Sequence, residues 1–187
     1  MLKRLLLLFL LSLPMAATAT DAVWEALQEG GHAVLMRHAL APGTGDPAGF
    51  VLEDCTTQRN LSAGGRRQAE RMGELFRAQG LGDLTVYTSR WCRSRDTAEA
   101  LDLGPVTELE ALDSFFAFRD RRDTALRGMR EAIIELQGGP SVVMVTHQVN
   151  ITGTVSNWVN SGEAVVVRAD DNGGIIEVGR IPAPSSD

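Results

Sequence analysis

The chain is poor in the residue types that build metal sites and nucleic-acid interfaces. Its 187 residues include two cysteines, three histidines and one tyrosine. Two cysteines without a third ligand at metal-site spacing do not form a zinc site, so the sequence predicts neither metal nor cofactor. Lys and Arg number 18 against 24 Asp and Glu, a formal charge of −6. Because nucleic-acid binding relies on basic groups, no nucleic-acid partner is expected.

Long apolar runs are also missing. The longest stretch near the start follows Lys3 and Arg4, covers Leu5 to Leu13 and stops at Pro14. A membrane-spanning helix needs about 20 apolar residues, so a retained anchor is the weaker alternative. With Ala17-Thr18-Ala19 after it, the segment has the layout of a secretory signal peptide.

The predicted domains are therefore a signal peptide over residues 1–19 and one domain over 20–187, with no membrane span after cleavage. Removing Lys3 and Arg4 from the 18 basic residues leaves 16 against 24 acidic ones, a net charge of −8. The expected location is periplasmic or secreted. That compartment lets a disulfide persist, so Cys55 and Cys92 are expected to pair, with two unpaired buried thiols as the alternative.

Apolar patterning alternates between strand and helix through the middle of the chain. The economical fold is an α/β three-layer sandwich with a largely parallel central sheet flanked by helices. A final pair of strands over 163–168 and 174–181 and a mobile tail over 182–187 are also expected. Strands are predicted at 32–37, 84–88, 106–109 and 141–146, and helices at 21–28, 62–79, 91–101, 123–136 and 149–159.

Unusual residues gather where the predicted strands end. Arg37 and His38 end the first strand, Ser89 to Arg93 follow the second, and His147 follows the strand that starts at Ser141. Ligands of open α/β sheets bind beyond the carboxyl ends of the strands. A single histidine there is more often structural, but two histidines and two arginines together favour a site. His32 has no arginine or second histidine in an equivalent position and is assigned no role.

These residue types suit phosphoryl chemistry. A neutral imidazole is a good nucleophile toward phosphorus. Guanidinium groups bind phosphoryl oxygens through forked, charge-assisted hydrogen bonds and stabilise the charge of the transition state. The sequence therefore predicts phosphoryl transfer.

Four segments in order resemble a known family. Leu35-Met-Arg-His-Ala39 is similar to the Arg-His signature of the histidine phosphatase (phosphoglycerate mutase-like) superfamily. Leu61 to Ala69 is similar to the helix after that signature, Thr88 to Ala98 to the segment with the second arginine, and Val145 to Gln148 to the second-histidine motif. The resemblance implies the fold of that family over most of the mature chain.

The resemblance also implies residue roles. His38 becomes phosphorylated and water then releases phosphate, while Arg37, Arg93 and His147 complete the phosphate pocket and Gln148 contributes to substrate binding. The signal peptide, the Cys55 and Cys92 surroundings and Gln58-Arg-Asn-Leu61 make the chain look closest to exported lipopolysaccharide core heptose phosphate phosphatases.

The family's leaving-group acid is ambiguous in this sequence. The resemblance expects a carboxylic acid after the second arginine, and serine stands where the usual Leu-x-Glu ends, in Leu112-Asp113-Ser114. Our choice is Asp113, and the alternative is that no acid is provided. The candidate acids are Glu108, Glu110, Asp113 and Asp120.

Three functions are compatible with these observations. The first is an exported phosphatase acting on a small phosphomonoester, a sugar phosphate or an envelope component derived from lipopolysaccharide. The second is a phosphate- or phosphosugar-binding module with weak or no turnover. The third, a mutase or a phosphohistidine phosphatase, fits export poorly because the usual substrates are cytosolic.

Overall fold

The computed structural model describes residues 19–187. The predicted signal peptide lies outside these residues, apart from Ala19, at which the first helix begins. Within 19–187 no helix is both long and apolar enough to cross a membrane.

Helices and strands alternate along the described chain. The helices are α1 (Ala19–Glu29), α2 (Ala63–Ala78), α3 (Cys92–Leu101), α4 (Arg122–Glu135) and α5 (Gln148–Val155). The strands are β1 (Ala33–Arg37), β2 (Thr85–Thr88), β3 (Val106–Glu108), β4 (Val142–Thr146), β5 (Ala164–Ala169) and β6 (Ile175–Ile181).

The six strands form one sheet in the order β3-β2-β4-β1-β5-β6. The first four in this order pair in parallel, and β5 joins β1 and β6 antiparallel. The prediction of an α/β fold with a largely parallel sheet is confirmed. The carboxyl ends of β1, β2 and β4 consequently lie side by side.

Both faces of the sheet are covered. One apolar cluster joins α1, α2 and α3 to the sheet through side chains such as Trp24, Phe76 and Leu101. The other joins α4 and α5 through Met129 and Ile151. Strands apolar on both sides, with every residue of β4 buried, are what a sheet between two helix layers requires.

Two segments differ from the sequence prediction. Helix α5 ends at Val155 because Ser156 adopts a left-handed conformation, with φ 61°, so that Trp158 and Val159 lie in a loop. The C-terminal tail, expected to be mobile, packs on α2, where side chains of Gln68, Arg67 and Arg71 donate hydrogen bonds to backbone carbonyls of residues 184–187.

Candidate active site

The parallel strands bring His38 and His147 together. His38 follows β1 and His147 follows β4, and the backbone N–H of His38 donates to the carbonyl of Thr146 at 2.9 Å. The ring centroids of the two histidines are 5.4 Å apart. Both side chains are buried.

The environment of His38 leaves one ring nitrogen free for chemistry. Its Nδ1 lies 2.8 Å from the carbonyl oxygen of Ala39. A carbonyl can only accept, so Nδ1 carries the proton and Nε2 keeps its lone pair. Burial, followed by the positive charge of Arg93, lowers the pKa of His38 well below its ordinary value. The imidazole is therefore neutral at pH 7.

His147 is neutral for the same reasons. Burial first, then Arg93 and His38, lower the pKa of its imidazole well below the ordinary value. Its Nε2 lies 2.8 Å from the hydroxyl oxygen of Ser89, the residue that follows β2. Residues from all three strand ends thus meet at one point.

Arg37 and Arg93 each bring an unpartnered donor to the site. Arg37 donates through Nη1 to the carbonyl of Val159 at 3.0 Å, and Arg93 binds Asp46 through Nη1 and Nη2 at 2.7 and 3.1 Å. The Nε atoms of both arginines are buried and have no hydrogen-bond partner in the described structure. Both side chains line the same cavity, and two guanidinium groups there suit an anion.

A third arginine, Arg59, completes the cationic wall and received no role from the sequence. It donates through Nε to the carbonyl of Gly45 at 2.7 Å and through Nη1 to the carbonyl of Ala41. Burial and the charge of Arg93 lower the pKa of Arg59 to about 10, so it remains charged at pH 7. The sequence feature that could have indicated a role for Arg59 is its position in the segment Gln58-Arg-Asn-Leu61, which carries part of the family resemblance.

Asp46 was also missed by sequence reasoning. It lies in a loop rich in Gly and Pro, and it is the sole carboxylate among the described residues that line the cavity. Burial acts to raise the pKa of Asp46, but hydrogen bonds and charge from Arg93 outweigh it, so the pKa lies below its ordinary value. No periodicity or motif in the sequence marks this residue.

Asp113, chosen as the leaving-group acid, does not line the cavity. Its two carboxylate oxygens accept hydrogen bonds from the backbone N–H and the Nε of Arg90, at 2.9 and 2.7 Å. The neighbouring Ser114 lines the cavity instead. The position of Asp113 therefore gives its assignment as acid no support. Gln148 does line the cavity, and its amide donates to the hydroxyl of Thr152 at 2.8 Å.

The cavity around these groups has a volume of about 720 Å³, much larger than a phosphate ion. Charged groups form its floor, and aromatic rings form much of its wall. Phe116 and Trp158 are 46% and 64% exposed and stand at its mouth. The aromatic residues that line it are Phe50, Trp91, Phe116, Phe118 and Trp158.

The predicted pairing of Cys55 with Cys92 is confirmed. Cys92 is the first residue of α3, directly before Arg93, and its backbone N–H donates to the side chain of Gln58 at 3.1 Å. The disulfide thus fixes the loop after His38 to the helix that carries Arg93. Among residues 19–187 no group of three or more His, Cys, Asp or Glu side chains lies close enough to hold a metal ion.

A comparison with protein families gives one match. The family model of the histidine phosphatase superfamily (branch 1) matches residues 34–116. A search of curated proteins finds no significant match.

Solved phosphatase structures share the fold. The protein histidine phosphatase SixA, complexed with tungstate, is 17% identical with a TM-score of 0.54, and the match covers 81% of this chain and 96% of that one. Mycobacterial glucosyl-3-phosphoglycerate phosphatase is 16% identical with a TM-score of 0.59, covering 82% and 99%. A phosphoserine phosphatase mutant from Entamoeba histolytica, in complex with phosphoserine, is 11% identical with a TM-score of 0.54, covering 80% and 95%. The chain is thus similar to the histidine phosphatase superfamily over residues 34–116, and it shares the fold of these solved phosphatases.

Proposed function

We propose that this protein is an exported phosphatase that hydrolyses a phosphomonoester through a phosphohistidine on His38. The observation that carries the proposal is the free lone pair on Nε2 of His38 in a cavity that Arg37 and Arg93 also line. A nucleophile and an anion-binding pocket in one place suit phosphoryl transfer. The phosphatase neighbours and the family model support the same reaction class.

The reaction has two steps. The lone pair of His38 Nε2 attacks phosphorus in line, forming a P–N bond while the ester P–O bond breaks, and the leaving oxygen takes its electron pair and a proton from solvent. Water then attacks the same phosphorus and loses a proton to solvent, the electron pair of the P–N bond returns to Nε2, and phosphate leaves with His38 restored. Arg37, Arg93 and Arg59 offset the phosphoryl charge in both transition states, and His147 lies against the same group.

The substrate we propose is a sugar phosphate or an envelope component derived from lipopolysaccharide. A cavity of about 720 Å³ has room for an organic group beyond the phosphate, and its wall offers aromatic faces. Thr44, Ser114 and Gln148 add polar groups among the rings, a combination that suits the apolar face and hydroxyls of a saccharide.

Export rests on the N-terminal segment and on a compartment that keeps the Cys55–Cys92 pair oxidised. A fractionation experiment tests it directly. The full-length chain expressed in a Gram-negative host is expected in the periplasm with its N-terminus after Ala19. Recovery of an uncleaved protein in the cytosol would contradict export without touching the proposed reaction.

A binding module with weak or no turnover is the second candidate, and one observation favours it. Asp46, the sole carboxylate among the described cavity-lining residues, is held by Arg93 and has a lowered pKa, so the site offers a poor leaving-group acid. The two functions differ in whether phosphate is released.

A panel of sugar phosphates, nucleotides and lipopolysaccharide fragments tests the proposed function. Phosphate release is measured for the parent, for His38→Gln and for His32→Gln. His32 is a matched control, because its Nδ1 also lies against a carbonyl, that of Gly30 at 2.6 Å, outside the cavity. We expect release by the parent and by His32→Gln, with a loss of about 10⁴-fold or more in His38→Gln. Binding of panel members without phosphate release by the parent would support the binding module.

A further inference from the structure

Asp46 makes an unusually complete set of contacts for a loop residue. Its Oδ1 accepts from Arg93 Nη1 at 2.7 Å and from the backbone N–H of Arg59 at 3.0 Å. Its Oδ2 accepts from Arg93 Nη2 at 3.1 Å and from the indole N–H of Trp91 at 3.0 Å. One carboxylate thus joins the loop, the arginine and the cavity wall.

The same contacts fix the orientation of the guanidinium group of Arg93. The carboxylate of Asp46 takes the Nη end of the guanidinium in a forked pair, and both side chains of this ion pair are less than a tenth exposed. The Nε of Arg93 is left buried and without a partner in the described structure. Because a guanidinium is a rigid plane, holding its Nη end fixes the orientation of the whole group at the cavity.

We propose that Asp46 is a positioning residue, which holds the guanidinium of Arg93 in the orientation that stabilises the phosphoryl group in the transition state. This inference rests on the proposed phosphatase function. It assigns Asp46 no contact with the substrate and no proton transfer.

The charge balance of the cavity supports this role. Arg37, Arg59 and Arg93 with Asp46 leave two uncompensated positive charges among the described lining residues, which matches a phosphomonoester dianion. Removing the carboxylate would leave a stronger attraction for any phosphate, substrate and product alike. Interactions that stabilise ground state and transition state equally do not raise kcat.

The two other roles open to Asp46 make different predictions. A general acid would matter more for a leaving group of high pKa than for one of low pKa. A purely structural link would change the stability of the fold and affect kcat no more than an ion pair of the same length elsewhere, even a more exposed one. Such a comparison pair is Arg66 with Asp96, at 2.7 Å and outside the cavity.

The first test compares Asp46→Asn with Asp96→Asn. For Asp46→Asn we expect kcat to fall about 10- to 100-fold, since small displacements of a catalytic group have effects of that size. The inhibition constant for inorganic phosphate should stay the same or decrease. The factor in kcat should be equal for a phenyl and an alkyl phosphate. Asp96→Asn should leave kcat unchanged.

The second test asks whether Asp46 acts through Arg93. In an Arg93→Ala background, Asp46→Asn is expected to change kcat less than about 2-fold, because coupled residues are not additive. A full additional loss in that background, an unchanged kcat in Asp46→Asn, or a loss confined to the alkyl ester would overturn the proposal. If Asp46→Asn does not fold, Asp46→Glu replaces it: its longer side chain shifts the guanidinium, and an unchanged kcat would again overturn the role.

Calorimetric binding of inorganic phosphate separates the failure of this inference from that of the proposed function. A parent protein that binds phosphate without turnover would remove the proposed reaction and, with it, the role in kcat assigned here. A parent with normal turnover and an additive double variant would remove the role of Asp46 alone. Normal turnover by the parent, together with effects on kcat that do not add in the double variant, supports both the proposed reaction and the role of Asp46.

Discussion

The Nδ1 of His38 lies 2.8 Å from the carbonyl oxygen of Ala39. This one contact decides the tautomer, because the carbonyl requires the proton on Nδ1 and leaves the lone pair on Nε2. Burial keeps the ring neutral by lowering its pKa, and Arg93 acts in the same direction. Backbone geometry at the end of β1 therefore prepares His38 as a nucleophile.

The position of Asp113 predicts how the rate depends on the leaving group. Since the carboxylate of Asp113 is bound by Arg90 outside the cavity, it is not placed to protonate a leaving oxygen. We expect a steep fall in kcat from phenyl phosphate to an alkyl phosphate, and Asp113→Asn should change both rates by the same factor. Initial rates over pH for both esters check this. A loss of about 10²- to 10⁴-fold confined to the alkyl ester would show that Asp113 is the acid after all.

The disulfide should matter for stability and for the phosphate pocket. Closing a loop with a sequence separation of 37 contributes about 4 kcal/mol in the loop-closure estimate. Reduction, or Cys55→Ser with Cys92→Ser, is expected to lower the melting temperature clearly. Because Cys92 precedes Arg93, we also expect a lower kcat/KM in protein that is still folded. A normal kcat/KM after reduction, with only the melting temperature changed, would leave the disulfide a structural role alone.

The buried histidines predict the direction in which stability changes with pH. His38 and His147 have folded pKa values well below their ordinary value, so below about pH 6.5 the unfolded chain binds protons that the folded chain does not. The free energy of unfolding should therefore fall as pH drops through that value.

Replacing one of the two histidines tests this assignment. His147→Asn should flatten the pH dependence by up to about 1.4 kcal/mol per pH unit, the contribution of one titrating group. Urea unfolding of parent and variant at pH 7, 6 and 5 provides the measurement. Parallel pH curves for the two proteins would show that His147 titrates alike in both states.

The exposed aromatic residues at the mouth of the cavity predict selectivity for the organic group of the substrate. Trp158 is 64% exposed at the cavity mouth, in the loop that follows α5. Trp158→Ala should raise KM for sugar phosphates about 2- to 10-fold, the worth of one stacking contact, and leave KM for methyl phosphate unchanged. Equal effects on both esters would mean that Trp158 acts on the pocket rather than on the organic group.

Much of the fold follows from local patterns in the sequence. The apolar runs of β1 and β4 and the turn at Asp170 to Gly174 mark the strands, and the parallel ends bring Arg37, His38 and His147 together. These residues could be predicted because each one ends or directly follows a strand with a clear apolar pattern.

The rest of the site depends on contacts across the chain. Asp46 lies in a loop without periodicity, and its partners Arg93 and Trp91 are more than forty residues away. Asp113 shows the opposite problem: it lies in the expected segment, but Arg90 binds its side chain and the next residue, Ser114, lines the cavity. A sequence motif does not show which of two adjacent residues points into the cavity.

Detection of phosphate on His38 tests the central proposal most directly. The protein is mixed with a substrate that it turns over, quenched in alkali within one turnover, and analysed by mass spectrometry for a phosphoryl group on each histidine. We expect acid-labile phosphate on His38 in the parent and none in His38→Gln. Hydrolysis that proceeds without any labelled histidine, or with the label on His147, would contradict it.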